Sequence, residues 1–286
     1  MLIKTVFLTL AIVSFLASWA NAKDESKTLK TKAPDGVEIV YSAAGQGEPS
    51  LLFIHGGFAD RSFWSNQMRA FARRHRVVAI DLAGHGSSGR NRKVWGIVPF
   101  AEDVRAVAEK ENLRRLVILG NSLGGPIAVE AARLMPNRVI AVVPVDTMQD
   151  MSQQMPASWA HERAMAFRED FAGTMKQMVQ ALFHPDADPA LVKQSEERML
   201  RNTPPDTAGA IMESLADYDM VPPIKQLRVP IRCINGDLFP TSIEANRKIY
   251  ADFDAVVLKH MGHYPMLEKP TLYNQTLERI LKEVAK

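Results

Sequence analysis

Short apolar runs that end in turns rich in Gly or Asp recur along the chain, and they constrain its fold more than any other feature. They span residues 50–54, 76–80, 115–119, 139–145, 229–234 and 255–258. Stretches with the helical spacing of apolar residues separate them. Strands that are apolar on both faces belong to a parallel sheet covered by helices on both sides. The pattern therefore predicts an α/β fold with a mostly parallel, doubly wound sheet.

The segment from residue 147 to residue 223 departs from that alternation. It shows helical patterns, several prolines and no convincing strand, and it holds nine of the fourteen methionines. We expect an all-helical lid subdomain inserted here, with residues 23–146 and 224–286 forming the core. Methionine side chains adapt to irregular apolar shapes. They would either line a hydrophobic substrate pocket or fill a loosely packed helical core, and the sequence favours neither interpretation.

The first 22 residues have the composition of a signal peptide. Lys4 gives a positive start, residues 5–19 are almost wholly apolar, and residues 20–22 supply the small-x-small pattern of a cleavage site. The apolar run is shorter than the roughly 20 residues that a membrane-spanning helix needs, although a retained anchor is the alternative. We expect an exported protein, periplasmic or secreted, that begins at Lys23 and has no membrane association after the leader is removed.

The charge, cysteine and histidine content limits the partners, disulfides and metal sites that can be expected. The net charge is +3, and removing a leader that carries only Lys4 would leave +2, too balanced to favour nucleic acid or an anionic membrane surface. Cys233 is the single cysteine, so no internal disulfide is expected, and its apolar surroundings predict a buried thiol. The seven histidines are scattered, so we expect neither a metal site nor a cofactor. No particular oligomeric state is indicated.

One G-x-S-x-G sequence occurs, Gly120-Asn121-Ser122-Leu123-Gly124, and the segments on either side of it indicate a catalytic turn. An apolar run leads directly into it and a helical pattern follows. A sharp turn from strand to helix presents the serine above the sheet, where small glycines let the backbones approach each other. Ser122 is therefore the predicted nucleophile, and the alternative is a glycine-rich turn with an idle serine.

Further motifs stand on either side of Ser122 in a recognisable order. They are His55-Gly56-Gly57, Asp81-Leu82-Ala83-Gly84-His85-Gly86, the Ser122 motif, the helical insertion, Gly236-Asp237 and Gly262-His263-Tyr264-Pro265. In this order and spacing the sequence resembles the α/β-hydrolase family over nearly all of the expected mature chain. The resemblance implies that family's fold, a helical lid, and a catalytic triad in the chain order Ser, acid, His.

A serine nucleophile needs a base that removes its proton. His263 lies in a loop just after the last apolar run, on a turn that can reach Ser122, and is the predicted base. His260 is the alternative, although its place nearer the strand end is typical of a structural histidine. His55 and His85 belong to the turn motifs and are expected to be structural. The remaining histidines have no predicted chemical role: His75, His161 and His184.

The base in turn needs a carboxylate that holds its tautomer and stabilises its charged form. Asp237 follows a late strand and fits the order Ser, acid, His. It lies closer to the preceding glycine than is usual in the family. Asp146, at the end of the run 139–145, is the alternative acid because some family members take their acid from that position. We favour Asp237.

An oxyanion hole needs two N–H groups aimed at the same point. Leu123 supplies one as the residue after the nucleophile. Gly57 is the matching position in the earlier turn, with Phe58 as the second choice. These inferences rest on position alone, because backbone donors do not depend on the side chain.

Together these residues imply hydrolysis through an acyl-enzyme, with a small, partly apolar molecule as the substrate. A carboxylic ester, lactone or thioester is expected. Carbon–carbon bond hydrolysis and cofactor-free haloperoxidase chemistry use the same triad and stay open. Serine at the elbow disfavours haloalkane dehalogenases and epoxide hydrolases, which use aspartate there. A non-catalytic binding protein is an alternative of another class, which the complete set of Ser, acid and His disfavours.

Overall fold

The computed structural model describes residues 26–216 and 218–285, so the predicted signal peptide lies outside the described residues. In this part of the chain eight strands form one sheet. They are β1 (Lys27–Lys32), β2 (Glu38–Ala44), β3 (Ser50–Ile54), β4 (Val77–Ile80), β5 (Leu116–Asn121), β6 (Val139–Val145), β7 (Ile231–Gly236) and β8 (Phe253–Leu258). No helix among these residues is long and apolar enough for a membrane span.

The strands follow the order β1-β2-β4-β3-β5-β6-β7-β8 across the sheet. The pairs from β4 through β8 are parallel, and β2 is antiparallel to both β1 and β4. The predicted α/β fold with a mostly parallel sheet is confirmed, and each of the six apolar runs overlaps a strand. The sequence analysis did not include β1 and β2. β1 is a mostly exposed edge strand rich in lysine, and such a strand has no continuous apolar run to detect.

Helices connect the strands and cover both faces of the sheet. They are α1 (Ser65–Phe71), α2 (Ile97–Lys110), α3 (Gly124–Leu134), α4 (Ala157–Glu169), α5 (Phe171–Leu182), α6 (Pro189–Asn202), α7 (Pro205–Glu213), α8 (Val221–Ile224), α9 (Ile243–Ile249), α10 (Pro265–Glu268) and α11 (Pro270–Val284), with a short 3-10 helix at Arg61–Trp64.

Alternate residues of the central strands enter two different hydrophobic clusters. In β3, Leu52 and Ile54 belong to one cluster, while Leu51 and Phe53 belong to the other. Successive side chains of a strand point to opposite faces of the sheet, so each face has its own core. This explains why the central strands are almost wholly apolar. Cys233 is fully buried, as expected, and burial raises the pKa of its thiol.

The described residues between β6 and β7 form helices α4 to α8 and no strand. We call residues 147–223 the helical insertion. Five of its nine methionines are buried among other apolar side chains, namely Met148, Met151, Met175, Met199 and Met212. These five fill the core of the insertion or its contact with the sheet. Met165, in contrast, is 37% exposed.

Candidate active site

Ser122 occupies a sharp turn between the end of β5 and the start of α3. Its φ of 52° lies in the left-handed region, which non-glycine residues seldom adopt and which recurs at functional sites. A Cβ on Gly120 would overlap the carbonyl oxygen of Gly124, and a Cβ on Gly124 would lie 2.8 Å from the carbonyl oxygen of Ile54. Glycine is therefore required at both positions. This is the geometry of a nucleophile elbow, and Ser122 is partly exposed to solvent.

His263 lies against a buried carboxylate. Its Nδ1 atom is 2.5 Å from Oδ2 of Asp146, whose side chain is fully buried. The other oxygen of Asp146 accepts the N–H of Gly236 at 2.8 Å. Because an ionised carboxylate can only accept hydrogen bonds, Nδ1 of His263 carries a proton and donates it. The Nε2 atom is then free to act as a base.

The structure contradicts the expectation that Asp237, rather than Asp146, pairs with His263. The Oδ1 atom of Asp237 accepts the N–H of Met261 at 3.2 Å, and its own N–H donates to the carbonyl of Met261 at 3.1 Å. Asp237 thus holds the turn that precedes His263. Strands β6 and β7 are parallel neighbours that end at the same edge of the sheet, so chain order alone could not tell which terminal aspartate reaches the imidazole.

Asn121, immediately before Ser122, joins the elbow to the other two residues. Its Nδ2 atom donates to the carbonyl of Val145 at 3.0 Å and to the carbonyl of His263 at 2.9 Å. The N–H of Ser122 also donates to the carbonyl of Val145, at 3.0 Å. Since Asp146 follows Val145, these bonds hold Ser122, Asp146 and His263 as one group. No sequence pattern predicts this role, because the motif accepts many residues at that position.

Glu268 holds the backbone on both sides of His263. Its carboxylate accepts the N–H of Gly262 at 3.0 Å and the N–H of Tyr264 at 3.3 Å. Burial raises the pKa of Glu268, while these donors act in the opposite direction. His263 itself donates its N–H to the carbonyl of Leu182, at the end of α5, at 2.7 Å. The helical insertion is therefore hydrogen-bonded directly to the turn that carries the imidazole.

The two turns expected to form an oxyanion hole lie together. A Cβ on Gly57 would be 3.9 Å from Cδ2 of Leu123, and a Cβ on Gly56 would be 3.1 Å from Cβ of Ser122. Leu123 is the N-cap residue of α3, so its N–H has no partner within the helix. The next residue after Gly57 is Phe58, which has a φ of 63° and whose ring lies 4.8 Å from that of Phe167 in α4.

Two other histidines, His55 and His85, are buried within the early turns, where a structural role was expected for them. The Nε2 atom of His55 accepts the N–H of Leu82 at 3.1 Å, which links the two early turns. The Nδ1 atom of His85 lies 3.0 Å from the carbonyl oxygen of Ala83. Both rings are fully buried, and burial lowers both pKa values, that of His85 to about 3. Both are therefore neutral at physiological pH.

His260, the alternative base, does not contact Asp146. Its side chain is 70% exposed, and its Nδ1 atom lies 3.3 Å from Asp186. Among the described residues one group could offer three ligands to a metal ion, namely His184, Asp186 and His260. None of these belongs to the group formed by Ser122, His263 and Asp146.

Comparison with known families agrees with this architecture. Residues 51–276 match the model of the Alpha/beta hydrolase family. This range covers most of the chain, and the chain therefore belongs to the α/β-hydrolase family.

Similar proteins include enzymes that act on different ester bonds. The chain is 24% identical over 267 residues to a pimeloyl-[acyl-carrier protein] methyl ester esterase of Nitrosospira multiformis, covering 86% of this chain and 99% of that protein. It is 22% identical over 260 residues to 3-oxoadipate enol-lactonase 2 of Acinetobacter baylyi, covering 88% and 96%. An esterase from Thermogutta terrifontis superimposes with a TM-score of 0.80 at 22% identity, covering 91% of this chain and all of that one.

The two aspartates can be distinguished by the proton on Nδ1 of His263. A short hydrogen bond to a buried carboxylate moves such a proton to low field and slows its exchange with water. We expect a low-field proton NMR signal that disappears in His263→Ala and in Asp146→Asn but persists in Asp237→Asn. A signal that persists in Asp146→Asn and disappears in Asp237→Asn would contradict the geometry described above.

Proposed function

We propose that this α/β-hydrolase cleaves a small carboxylic ester, lactone or thioester through an acyl-enzyme formed on Ser122. The observation that carries the proposal is the 2.5 Å contact between Nδ1 of His263 and Asp146. It leaves Nε2 free to act as a base beside an elbow that Asn121 holds in place. The methyl ester esterase and the enol-lactonase among the similar proteins support ester-bond hydrolysis.

In the first step Ser122 attacks the carbonyl carbon of the substrate. Nε2 of His263 takes the proton from the hydroxyl group, because Nδ1 already donates to Asp146. The imidazolium that forms is stabilised by the Asp146 carboxylate. His263 then gives the proton to the leaving alcohol or thiol, and the acyl group stays on Ser122.

In the second step water takes the place of the alcohol. His263 removes a proton from the water, the resulting nucleophile attacks the acyl-enzyme, and the proton returns to Ser122 as the acid leaves. In both steps negative charge develops on the carbonyl oxygen. We assign the N–H groups of Leu123 and Gly57 to stabilise it, a contribution that typically amounts to about 3–4 kcal/mol per donor.

The helical insertion serves as the lid in this proposal. It contacts the oxyanion turn through Phe167 and Phe58, and the histidine turn through Leu182 and His263. It therefore borders the site on two sides. The side chains of the first contact, Phe167 and Phe58, are aromatic, which fits a substrate with an apolar acyl or alcohol part.

An ester panel with graded acyl length tests this proposal. We expect wild-type turnover with a preference among chain lengths, and losses in kcat of roughly five to six orders of magnitude in Ser122→Ala and His263→Ala, since members of a triad act as a unit. Ser158→Ala, which changes an exposed serine of α4, should keep wild-type activity.

Labelling with a fluorophosphonate separates the remaining alternatives. The wild-type protein should react and Ser122→Ala should not. Failure of the folded wild-type protein to react or to hydrolyse any ester would indicate a non-catalytic binding protein. Reaction without ester turnover would indicate that the same triad serves a different substrate, such as a carbon–carbon bond.

We also propose that the protein is exported, on the composition of residues 1–22. When the full chain is expressed in a Gram-negative host, N-terminal sequencing of the periplasmic fraction should find Lys23 as the first residue. A full-length chain with an intact Met1 in the membrane fraction would instead indicate a retained anchor.

A further inference from the structure

Three side chains from two distant segments meet near the turn that carries His263. His184 and Asp186 follow α5 in the helical insertion, and His260 lies in the turn after β8. Oδ2 of Asp186 is 3.3 Å from Nδ1 of His260 and 3.5 Å from Nδ1 of His184. Each residue offers one ligand atom, and these three atoms lie within 4.8 Å of one another.

We propose that His184, Asp186 and His260 form a binding site for a divalent metal ion of the zinc class. Zinc binds imidazole nitrogen and carboxylate oxygen at about 2.0–2.2 Å in tetrahedral geometry, which separates neighbouring ligands by about 3.3–3.6 Å. The two measured distances from Asp186 fall in that range. Two imidazoles with one carboxylate suit zinc better than magnesium or calcium, which prefer oxygen ligands. Water would complete the coordination.

The nitrogen of His184 is already in the state that a metal requires. Its Nδ1 atom accepts the N–H of Asp186 at 3.1 Å, so it carries no proton, and an ion bound there would take the place of that hydrogen bond. The side chain of His184 is only 17% exposed, whereas Asp186 and His260 are 66% and 70% exposed. One ligand is thus fixed by its surroundings, and the other two are open to an ion arriving from solvent.

The backbone around His260 is also fixed in advance. His260 has a φ of 56°, and the next residue, Met261, exchanges hydrogen bonds with Asp237 in both directions. The aspartate that does not reach His263 therefore holds the turn that presents His260. Ligands held by such bonds lose little conformational freedom when an ion binds.

A metal ion at this position would join the helical insertion to the histidine turn. The two segments already share one hydrogen bond, from the N–H of His263 to the carbonyl of Leu182. The ion would add a second link three residues before His263, outside the reacting group. The proposed role is therefore structural, to hold the end of α5 against the turn, and it does not depend on the proposed ester substrate.

Zinc binding can be measured directly by isothermal titration. The protein, without an affinity tag and stripped with a chelator, is titrated with zinc chloride. We expect one ion per chain, with at least about a tenfold weaker Kd in His260→Ala and in Asp186→Asn. The melting temperature should rise with zinc in the wild-type protein and not in these two variants.

His161→Ala provides a matched control. His161 is also an exposed histidine of the insertion beside a carboxylate, with Nδ1 3.6 Å from Glu213 and 67% exposure. Among the described residues, however, it belongs to no group of three possible metal ligands. This variant should bind zinc as the wild-type protein does. No zinc binding by the wild-type protein, or equal binding by folded His260→Ala and Asp186→Asn, would overturn the proposal.

Discussion

The hydrogen bond between His263 and Asp146 is the contact on which the rest of the site depends. Asp146 is fully buried, and a buried carboxylate is costly unless donors surround it. Here Nδ1 of His263 and the N–H of Gly236 supply those donors. They come from the turn after β8 and from the end of β7, while Asp146 directly follows β6. One carboxylate thus fixes the positions of three chain segments at the same edge of the sheet.

The fold and two members of this group could be predicted from the sequence. Continuous apolar runs indicate strands buried on both faces, and the strand-turn-helix context identifies Ser122. His263 is identified by its place after the last strand. The acid could not be assigned in this way. Asp146 and Asp237 follow neighbouring parallel strands, and the direction in which each side chain leaves its strand depends on backbone conformation. Asp146 has a φ of 44°, and no local sequence pattern predicts this backbone conformation.

The residues that support the site, Asn121 and Glu268, could not be predicted from the sequence for a related reason. Asn121 and Glu268 act through backbone groups of residues distant in sequence or across a turn. Any residue can present a backbone carbonyl or N–H, so these contacts leave no pattern of side chains. Asp237 is the same kind of residue, since its partner is the backbone of Met261. The role of Asp237 in the Gly236-Asp237 motif is therefore to hold the turn that carries His263.

We propose that Asp146 is the acid of a triad with Ser122 and His263. The most direct test is kcat of Asp146→Asn and Asp237→Asn on one good ester, with folding checked by circular dichroism. Asp146→Asn should lose about four orders of magnitude, because His263 keeps its basicity but loses its orientation. Asp237→Asn should stay within about tenfold of wild type, because the amide oxygen of asparagine can still accept the N–H of Met261 and the change lies outside the reacting group. A folded, nearly fully active Asp146→Asn beside an inactive Asp237→Asn would contradict the claim.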